Sequence, residues 1–152
     1  MSRPPVAVLG AGSIGVSFAI LFACSGLDVA VYDPVTAALP RAAEDLRERL
    51  KLLGITDPAV VEARARFTSD LDSALLGVGF VQECAPERLD VKQQLLRQAA
   101  IQTAAEVPLA SSSSAIVASR LAEGLDTAIA ARILVGHPGN PPYLLPVIEV
   151  VP

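Results

Sequence analysis

Three glycines near the start of the chain have the spacing of a phosphate-binding turn. Gly10, Gly12 and Gly15 follow the apolar residues 6–9 and precede an apolar segment of helical character. In a G-x-G-x-x-G turn the first glycine allows a tight exit from the strand, the second lets the backbone approach a pyrophosphate, and the third lets the helix pack close to the strand. The phosphates then meet free N–H groups at the positive end of the helix dipole. A glycine-rich turn without a ligand is the alternative interpretation.

An aspartate stands at the end of the second apolar segment. Residues 16–25 have helical character, Gly26 is typical of a helix end, and residues 27–32 form a second strand pattern that ends in Asp33. A carboxylate here accepts hydrogen bonds from the adenosine ribose hydroxyls of a dinucleotide and repels a 2′-phosphate. Because residues 34–36 contain no arginine to neutralise such a phosphate, the sequence favours NAD over NADP. Asp33 also fits an Asp-Pro turn, and the two roles are compatible.

The one histidine of the chain and a late glutamate form a second candidate pair. His137 lies in a loop rich in glycine and proline rather than on an apolar helix face, which favours a functional role. Glu149 lies in an apolar strand pattern, where an unpaired carboxylate would be costly, so we expect a partner and His137 is the candidate. A purely structural role is the alternative for His137.

The composition indicates a single acidic domain with a large core. The 152 residues are 52% hydrophobic, 4% aromatic and carry a net charge of −4, which argues against nucleic acid as a partner. Residues 6–27 carry no charge. A signal peptide or membrane anchor is one reading of this run, but a buried strand, turn and helix explain it better, so no membrane partner is expected. Cys24 and Cys84 predict core thiols, no metal site and a reducing cytoplasm.

Strand patterns alternate with helix patterns along the chain. Such alternation predicts an α/β domain of Rossmann type, with a doubly wound, mostly parallel sheet and helices on both faces. The functional candidates all follow predicted strand ends. The expected strands are 6–9, 27–32, 66–68, 78–81, 107–110, 133–135 and 146–151, and the expected helices are 16–25, 39–53, a short one from 58, 70–76, 90–106 and 116–122.

Four separated blocks resemble the NAD-binding domain of the 3-hydroxyacyl-CoA dehydrogenase superfamily. They are the glycine loop, residues 81–87 with Lys92 following, residues 110–114 and residues 136–149, which together span nearly the whole chain. The last block, with His-Pro-Gly-Asn-Pro-Pro-Tyr, is the most specific. It and the serine run look most like the L-gulonate 3-dehydrogenase (lambda-crystallin) branch. Residues 82–89 and 143–146 are equally similar to the carnitine 3-dehydrogenase branch.

The resemblance implies catalytic roles for three residues. His137 corresponds to the family's catalytic base, Glu149 to the carboxylate that pairs with it, and Ser114 to the serine that hydrogen-bonds the substrate oxygen. The pair suits the oxidation of a secondary alcohol, because a base takes the hydroxyl proton while a carboxylate holds the imidazole in one tautomer. On the residues alone, Ser114 fits a helix N-cap equally well.

The resemblance also places four further residues near the cofactor. Glu87 and Lys92 correspond to positions near the cofactor ribose, and Ser13 and Ile14 lie in the phosphate loop. On the residues alone, Glu87 and Lys92 equally fit a solvated pair on a helix surface.

As a whole, the resemblance implies a cytoplasmic NAD-dependent enzyme that oxidises a small polar hydroxy acid. Fatty-acyl relatives carry Ser-Asn-Thr-Ser and His-Phe-Phe-Asn-Pro where this chain has the serine run and the His137 block, which weakens an acyl-CoA substrate. Carnitine 3-dehydrogenase and 3-hydroxyacyl-CoA dehydrogenase activity are alternatives, as is a non-catalytic dinucleotide-binding or structural domain. The family continues into a helical domain for substrate binding and dimerisation. Residues 1–152 match only the NAD-binding half, so a homodimer is expected only with that second domain.

Overall fold

The computed structural model describes residues 3–152, which form one sheet with helices on both faces. The strands in this range are β1 (Val6–Leu9), β2 (Val29–Tyr32), β3 (Ala65–Thr68), β4 (Phe80–Glu83), β5 (Leu109–Ser111), β6 (Ile133–Pro138) and β7 (Ile148–Val151). The helices are α1 (Ser13–Cys24), α2 (Ala38–Leu52), α3 (Pro58–Glu62), α4 (Leu71–Leu75), α5 (Leu89–Gln102), α6 (Ala118–Leu121) and α7 (Thr127–Ala130).

The sheet has the strand order β3-β2-β1-β4-β5-β6-β7. Neighbouring strands from β3 to β6 are parallel, and β7 pairs antiparallel with β6 at the edge. The chain builds outwards from β1 in one direction and from β4 in the other. Sheets of this topology bind ligands in the crevice beyond the carboxyl ends of the strands, at the point where the order reverses. The predicted doubly wound α/β fold is confirmed.

The central strands are buried on both faces. In β1, Val8 packs into the cluster that contains the buried residues of α1 and α2, whereas Ala7 and Leu9 pack into the cluster under α4, α5 and α6. Successive side chains of a strand point to opposite faces, so a strand covered on both faces is apolar throughout. This burial accounts for the uncharged run at 6–27. Within residues 3–152, no helix has the length and apolar character needed to cross a bilayer.

Most element boundaries shift by a few residues from the sequence pattern, and three differences matter most. The helix α5 ends at Gln102 rather than 106, because the chain becomes extended at Thr103, whose hydroxyl donates to the carbonyl of Ala99. The pattern does not predict α7, a single turn capped by the side chain of Asp126. The strand β6 continues through Pro138, so the prediction that His137 lies in a loop is wrong. His137 has the fixed orientation of a strand residue.

The two cysteines lie in different surroundings. Cys24 is exposed at the end of α1, so the prediction of a core thiol is wrong there. The buried positions of that helix turn are Ile20 and Ala23, which face the sheet. Cys84 is half-buried, and desolvation raises the pKa of its thiol to about 12. A thiol with that pKa is protonated at neutral pH and is a poor nucleophile.

Candidate functional site

The carboxyl ends of the parallel strands bring the separated candidates to one edge of the sheet. The glycine loop follows β1, Asp33 follows β2, residues 84–88 follow β4, the serine run starts at the last residue of β5, and His137 lies near the end of β6. Parallel strands all end at the same edge, and their exposed ends form the ligand crevice of this topology. The fold therefore assembles a site from residues that are far apart in the sequence.

The three glycines of the loop meet different requirements. Gly10 has a φ of +117°, and a Cβ there would lie 2.6 Å from the carbonyl oxygen of Cys84. A Cβ on Gly15 would lie 1.8 Å from the carbonyl oxygen of Gly10, so α1 approaches β1 this closely only without a side chain. Gly12 faces open space, with no atom within 4 Å of an added Cβ. The loop is closed towards the protein and open on its outer side, which fits the pyrophosphate of a dinucleotide.

The first turn of α1 supplies hydrogen-bond donors to that open side. The helix starts at Ser13 without a side-chain cap and without an acidic residue in its first turn. The N–H of Val16 donates to the carbonyl of Gly12, so the N–H groups of residues 13–15 precede the first helical hydrogen bond. Ser13 is exposed, whereas the Ile14 side chain packs against the core and leaves its backbone N–H for a ligand. Such free N–H groups bind anions.

Two backbone N–H groups hold the Asp33 carboxylate in place. Its Oδ2 accepts the N–H of Ala11 at 2.9 Å, and its Oδ1 accepts the N–H of Val35 at 2.9 Å. The carboxylate therefore closes the turn after β2, as predicted, and it also braces the glycine loop. A cavity beside it is walled by Tyr32, Pro34, Ala85, Pro86, Val91 and Leu95, among other residues. Each carboxylate oxygen keeps a free lone pair for the hydroxyls of a ribose in this cavity.

His137 and Glu149 are directly opposite each other on β6 and β7. The Nδ1 of His137 lies 3.5 Å from the Oε2 of Glu149. The His137 side chain is 39% exposed and that of Glu149 is 67% exposed, so Glu149 is not a buried carboxylate. The expected pairing is present, but its cause is the strand register rather than the cost of burial. The two side chains line one cavity together with Ser113, Ser114, Ile116 and Val135, among other residues.

Ser114 reaches this cavity from the loop after β5, whereas its neighbour Ser113 holds the loop in place. The Ser113 hydroxyl donates to Oε1 of Glu87 and accepts the N–H of Ile116 at 2.8 Å. The helix α6 begins only at Ala118, so the alternative of Ser114 as its N-cap is wrong. Ser114 is exposed and lines the same cavity as His137.

Lys92 is buried, and sequence reasoning missed its pairing with Glu83. The Lys92 Nζ lies 2.9 and 3.0 Å from the two carboxylate oxygens of Glu83 and 3.0 Å from the carbonyl oxygen of Ala85. Both charged side chains of the Lys92–Glu83 pair are completely buried. The Glu83 carboxylate also accepts the Ser111 hydroxyl and the N–H of Ala85. The alternative of a solvated pair is wrong for Lys92, and its ammonium is not exposed to touch a ribose.

Glu87 connects this buried pair to the open site. Its Oε2 lies 3.4 Å from the Lys92 Nζ, and its Oε1 accepts the N–H of Ala115 at 3.2 Å as well as the Ser113 hydroxyl. Partial burial acts to raise the pKa of Glu87, but these hydrogen bonds and the ammonium of Lys92 outweigh it and hold that pKa below its usual range. Glu87 is therefore ionised at neutral pH. Its fixed carboxylate joins the loop after β4 to the loop after β5.

The sequence places Glu83 in the turn after a predicted strand, among the functional candidates, but does not show that Lys92 is its partner. A glutamate at the end of an apolar strand needs a partner, and Lys92 follows nine positions later. The resemblance drew attention to Glu87 instead, which is the more exposed of the two glutamates. Arg49, which contacts the first turn of α1, was also missed, because 36 residues separate it from Ser13.

Alanine at Gly15 is expected to lower stability, whereas alanine at Gly12 is expected to keep the fold and weaken NADH binding. Gly15→Ala lowers the free energy of unfolding by about 3 kcal/mol or more, because its Cβ overlaps a backbone oxygen. Gly12→Ala keeps the fold, since Gly12 has an ordinary φ of −74° and open space around it. Its methyl group occupies the open side of residues 10–15, which we call the glycine cradle, and we expect NADH affinity to fall about 10-fold or more. Urea unfolding and calorimetric titration with NADH measure both effects. Unchanged NADH affinity in Gly12→Ala would contradict the assignment of the cradle.

The fold and the glycine cradle together define a dinucleotide-binding domain, and comparison with known proteins gives its family. A family model described as "3-hydroxyacyl-CoA dehydrogenase, NAD binding domain" matches residues 5–152. The chain therefore belongs to this family, and the dinucleotide for which its cradle is built is NAD.

Individual relatives agree with this assignment. A lambda-crystallin homolog of Bos taurus is 39% identical over a match that covers 97% of this chain and 47% of the relative. An L-carnitine dehydrogenase of Streptomyces griseus is 39% identical over 96% of this chain and 44% of its own. The crystal structure of 3-hydroxybutyryl-CoA dehydrogenase from Escherichia coli K12 superposes with a TM-score of 0.86 at 28% identity, covering 99% of this chain and 32% of that one. The chain spans about half the length of the curated relatives it matches.

Proposed function

We propose that residues 1–152 form the cofactor-binding half of an NAD-dependent dehydrogenase that oxidises the secondary alcohol of a small 3-hydroxy acid. The observation that carries the proposal is the His137–Glu149 pair, which shares one cavity with Ser114 at the same sheet edge as the glycine cradle. A proton acceptor, its orienting carboxylate and a hydroxyl for the reacting oxygen are what the oxidation of an alcohol needs from the protein.

The geometry of the pair assigns a role to each nitrogen of His137. The Nδ1 is the nitrogen that faces Glu149, so we assign the N–H to Nδ1, where it points at that carboxylate, and the role of proton acceptor to Nε2. The 3.5 Å separation is longer than an ordinary hydrogen bond, and we expect it to shorten when substrate is bound. NAD, when bound, supplies the acceptor for the hydride. His137 takes the hydroxyl proton, Glu149 stabilises the resulting imidazolium, and the Ser114 hydroxyl holds the reacting oxygen.

Glu87 and Lys92 have different parts in this proposal. Glu87 is partly exposed and fixed by Ser113, so its carboxylate can accept a hydrogen bond from the cofactor ribose. Lys92 acts indirectly, because its ammonium is buried and pairs with the carboxylates of Glu83 and Glu87. The expected contact between Lys92 and the cofactor is therefore replaced by an indirect role.

The substrate that we favour is a small polar hydroxy acid such as L-gulonate, with L-carnitine as the next candidate. The names of the relatives support this choice, because lambda-crystallin homologs and L-carnitine dehydrogenases match with 34–40% identity, whereas the 3-hydroxybutyryl-CoA dehydrogenase structure matches with 28%. The serine run in place of Ser-Asn-Thr-Ser supports it independently.

The test is a dehydrogenase assay of the complete gene product with NAD⁺ and each of L-gulonate, L-carnitine and 3-hydroxybutyryl-CoA. NADH formation with one of the first two at the highest kcat/KM is the expected result. Preference for the acyl-CoA would overturn the substrate class while leaving the reaction type in place. NADH binding without turnover of any hydroxy acid would overturn the reaction itself and favour a non-catalytic dinucleotide-binding protein.

A further inference from the structure

An arginine of α2 is hydrogen-bonded to the first turn of α1. The Nη2 of Arg49 lies 3.0 Å from the Oγ of Ser13, and its Nη1 lies 2.8 Å from the Oγ of Ser17 and 3.1 Å from the carbonyl oxygen of Ser13. The Nε and Nη2 of the same guanidinium donate to Asp45, at 2.8 and 2.6 Å. The Arg49 side chain is only 17% exposed. It is held in one position next to the cradle.

Counting donors and acceptors shows how this contact orients the Ser13 hydroxyl. A guanidinium has no acceptor, so Ser13 Oγ must accept the hydrogen bond from Arg49. The hydroxyl proton of Ser13 is then free to be donated elsewhere. Ser17 differs, because it is buried and its own hydroxyl donates to the carbonyl of Ser13 at 2.8 Å. Of the two serines, only Ser13 is exposed at the mouth of the cradle.

The charges around this turn also favour an anion. Arg49 places a cation beside the positive end of the α1 dipole, which is an unfavourable arrangement unless a negative charge balances it. The first turn of α1 has no acidic residue to provide that charge. Asp45, one turn before Arg49 on α2, offsets part of the charge of Arg49. A bound pyrophosphate would supply the negative charge that balances Arg49 and the positive end of α1.

We propose that Arg49 is a positioning residue for the pyrophosphate of NAD. It fixes Ser13 as a hydrogen-bond donor to a phosphate oxygen and stabilises the negative charge there. The proposal rests on NAD binding by this domain and not on the dehydrogenase chemistry at His137. A brace that only joins α1 to α2 would make the same contacts, so the experiment must separate the two roles.

The test is calorimetric titration of the chain with NADH, using Arg49→Gln, Ser13→Ala and the double variant. We expect each single variant to bind NADH about 10-fold more weakly, in line with the loss of one hydrogen bond to a charged group. The double variant should lose less affinity than the two single losses added together, because part of the effect of Arg49 acts through Ser13. Arg47→Gln is the matched control, since Arg47 lies on the same helix and is paired with Glu44 and Glu62 instead.

Three results would overturn the proposal. One is wild-type NADH affinity in a folded Arg49→Gln variant, which would leave Arg49 as a brace. Another is a loss of NADH affinity in the double variant equal to the sum of the two single losses. A third is a loss of NADH affinity in Arg47→Gln as large as that in Arg49→Gln, which would indicate that the positive charge acts at long range. If Arg49→Gln does not fold in urea titration, Ser13→Ala decides, because the exposed Ser13 can be replaced without loss of packing. Wild-type affinity in that variant overturns the proposal.

Discussion

Replacing His137 with alanine is expected to lower kcat by about 10²–10⁴-fold, the usual contribution of a positioned general base. The imidazole is the group in the cavity that we propose as the acceptor of the alcohol proton, and its Nδ1 faces Glu149. The glycine cradle and Asp33 lie at other strand ends, so NADH affinity should stay near that of the wild type. Steady-state kinetics of the complete gene product, with calorimetric titration of NADH, measure both quantities.

A variant of the partner residue provides the control for this prediction. Glu149→Gln keeps His137 and removes only the negative charge that stabilises its protonated form, so kcat should fall by less than in His137→Ala. Glu149 is well exposed, and neither substitution should affect folding. Turnover close to the wild-type value in His137→Ala would contradict the assignment of the base.

Replacing Lys92 with methionine is expected to have the largest effect on stability of any single side-chain change in the site. The Glu83 carboxylate would then be completely buried without a counter-charge, and breaking such a pair costs about 3–5 kcal/mol. Burial already raises the pKa of Glu83, against the lowering effect of Lys92, Ser111 and the N–H of Ala85. Urea unfolding of the wild type and of Lys92→Met gives the difference in free energy.

Two further variants show whether the unpaired charge is the cause. Glu83→Gln in the Lys92→Met background removes the charge but keeps the shape, and we expect it to restore part of the lost stability. Arg88→Gln breaks the exposed ion pair with Asp90 at the start of α5 and should change stability little. A loss of unfolding free energy in Arg88→Gln as large as that in Lys92→Met would show that burial of the Lys92–Glu83 pair is not the cause.

The fold and the cofactor cradle could be predicted because their signals are local. The spacing of Gly10, Gly12 and Gly15, the apolar strands and the alternation with helices each lie within a short stretch of chain. The sheet order then follows from the fold class, and it brings Asp33 and His137 to the same edge without further information.

The support beneath the site could not be predicted in the same way. The contacts between Glu83 and Ser111 and between Arg49 and Ser13 join residues 28 and 36 positions apart. A lysine and an arginine in amphipathic helices are most simply solvated, and nothing in the local pattern shows that Lys92 faces inward. Glu149 was expected to be buried, whereas it is largely exposed. Its apolar neighbours in the sequence suggested burial, but β7 is an edge strand and the Glu149 side chain faces solvent.

Calorimetric titration of the chain with NADH and, separately, with NADPH measures whether this domain binds the dinucleotide and whether Asp33 selects NAD. The carboxylate of Asp33, fixed by the N–H groups of Ala11 and Val35, should exclude a 2′-phosphate from the place where the ribose binds. We expect saturable binding of NADH, with NADPH binding at least about 10-fold more weakly because of the uncompensated repulsion between like charges. Equal affinity for the two, or saturable binding of neither, would contradict this expectation.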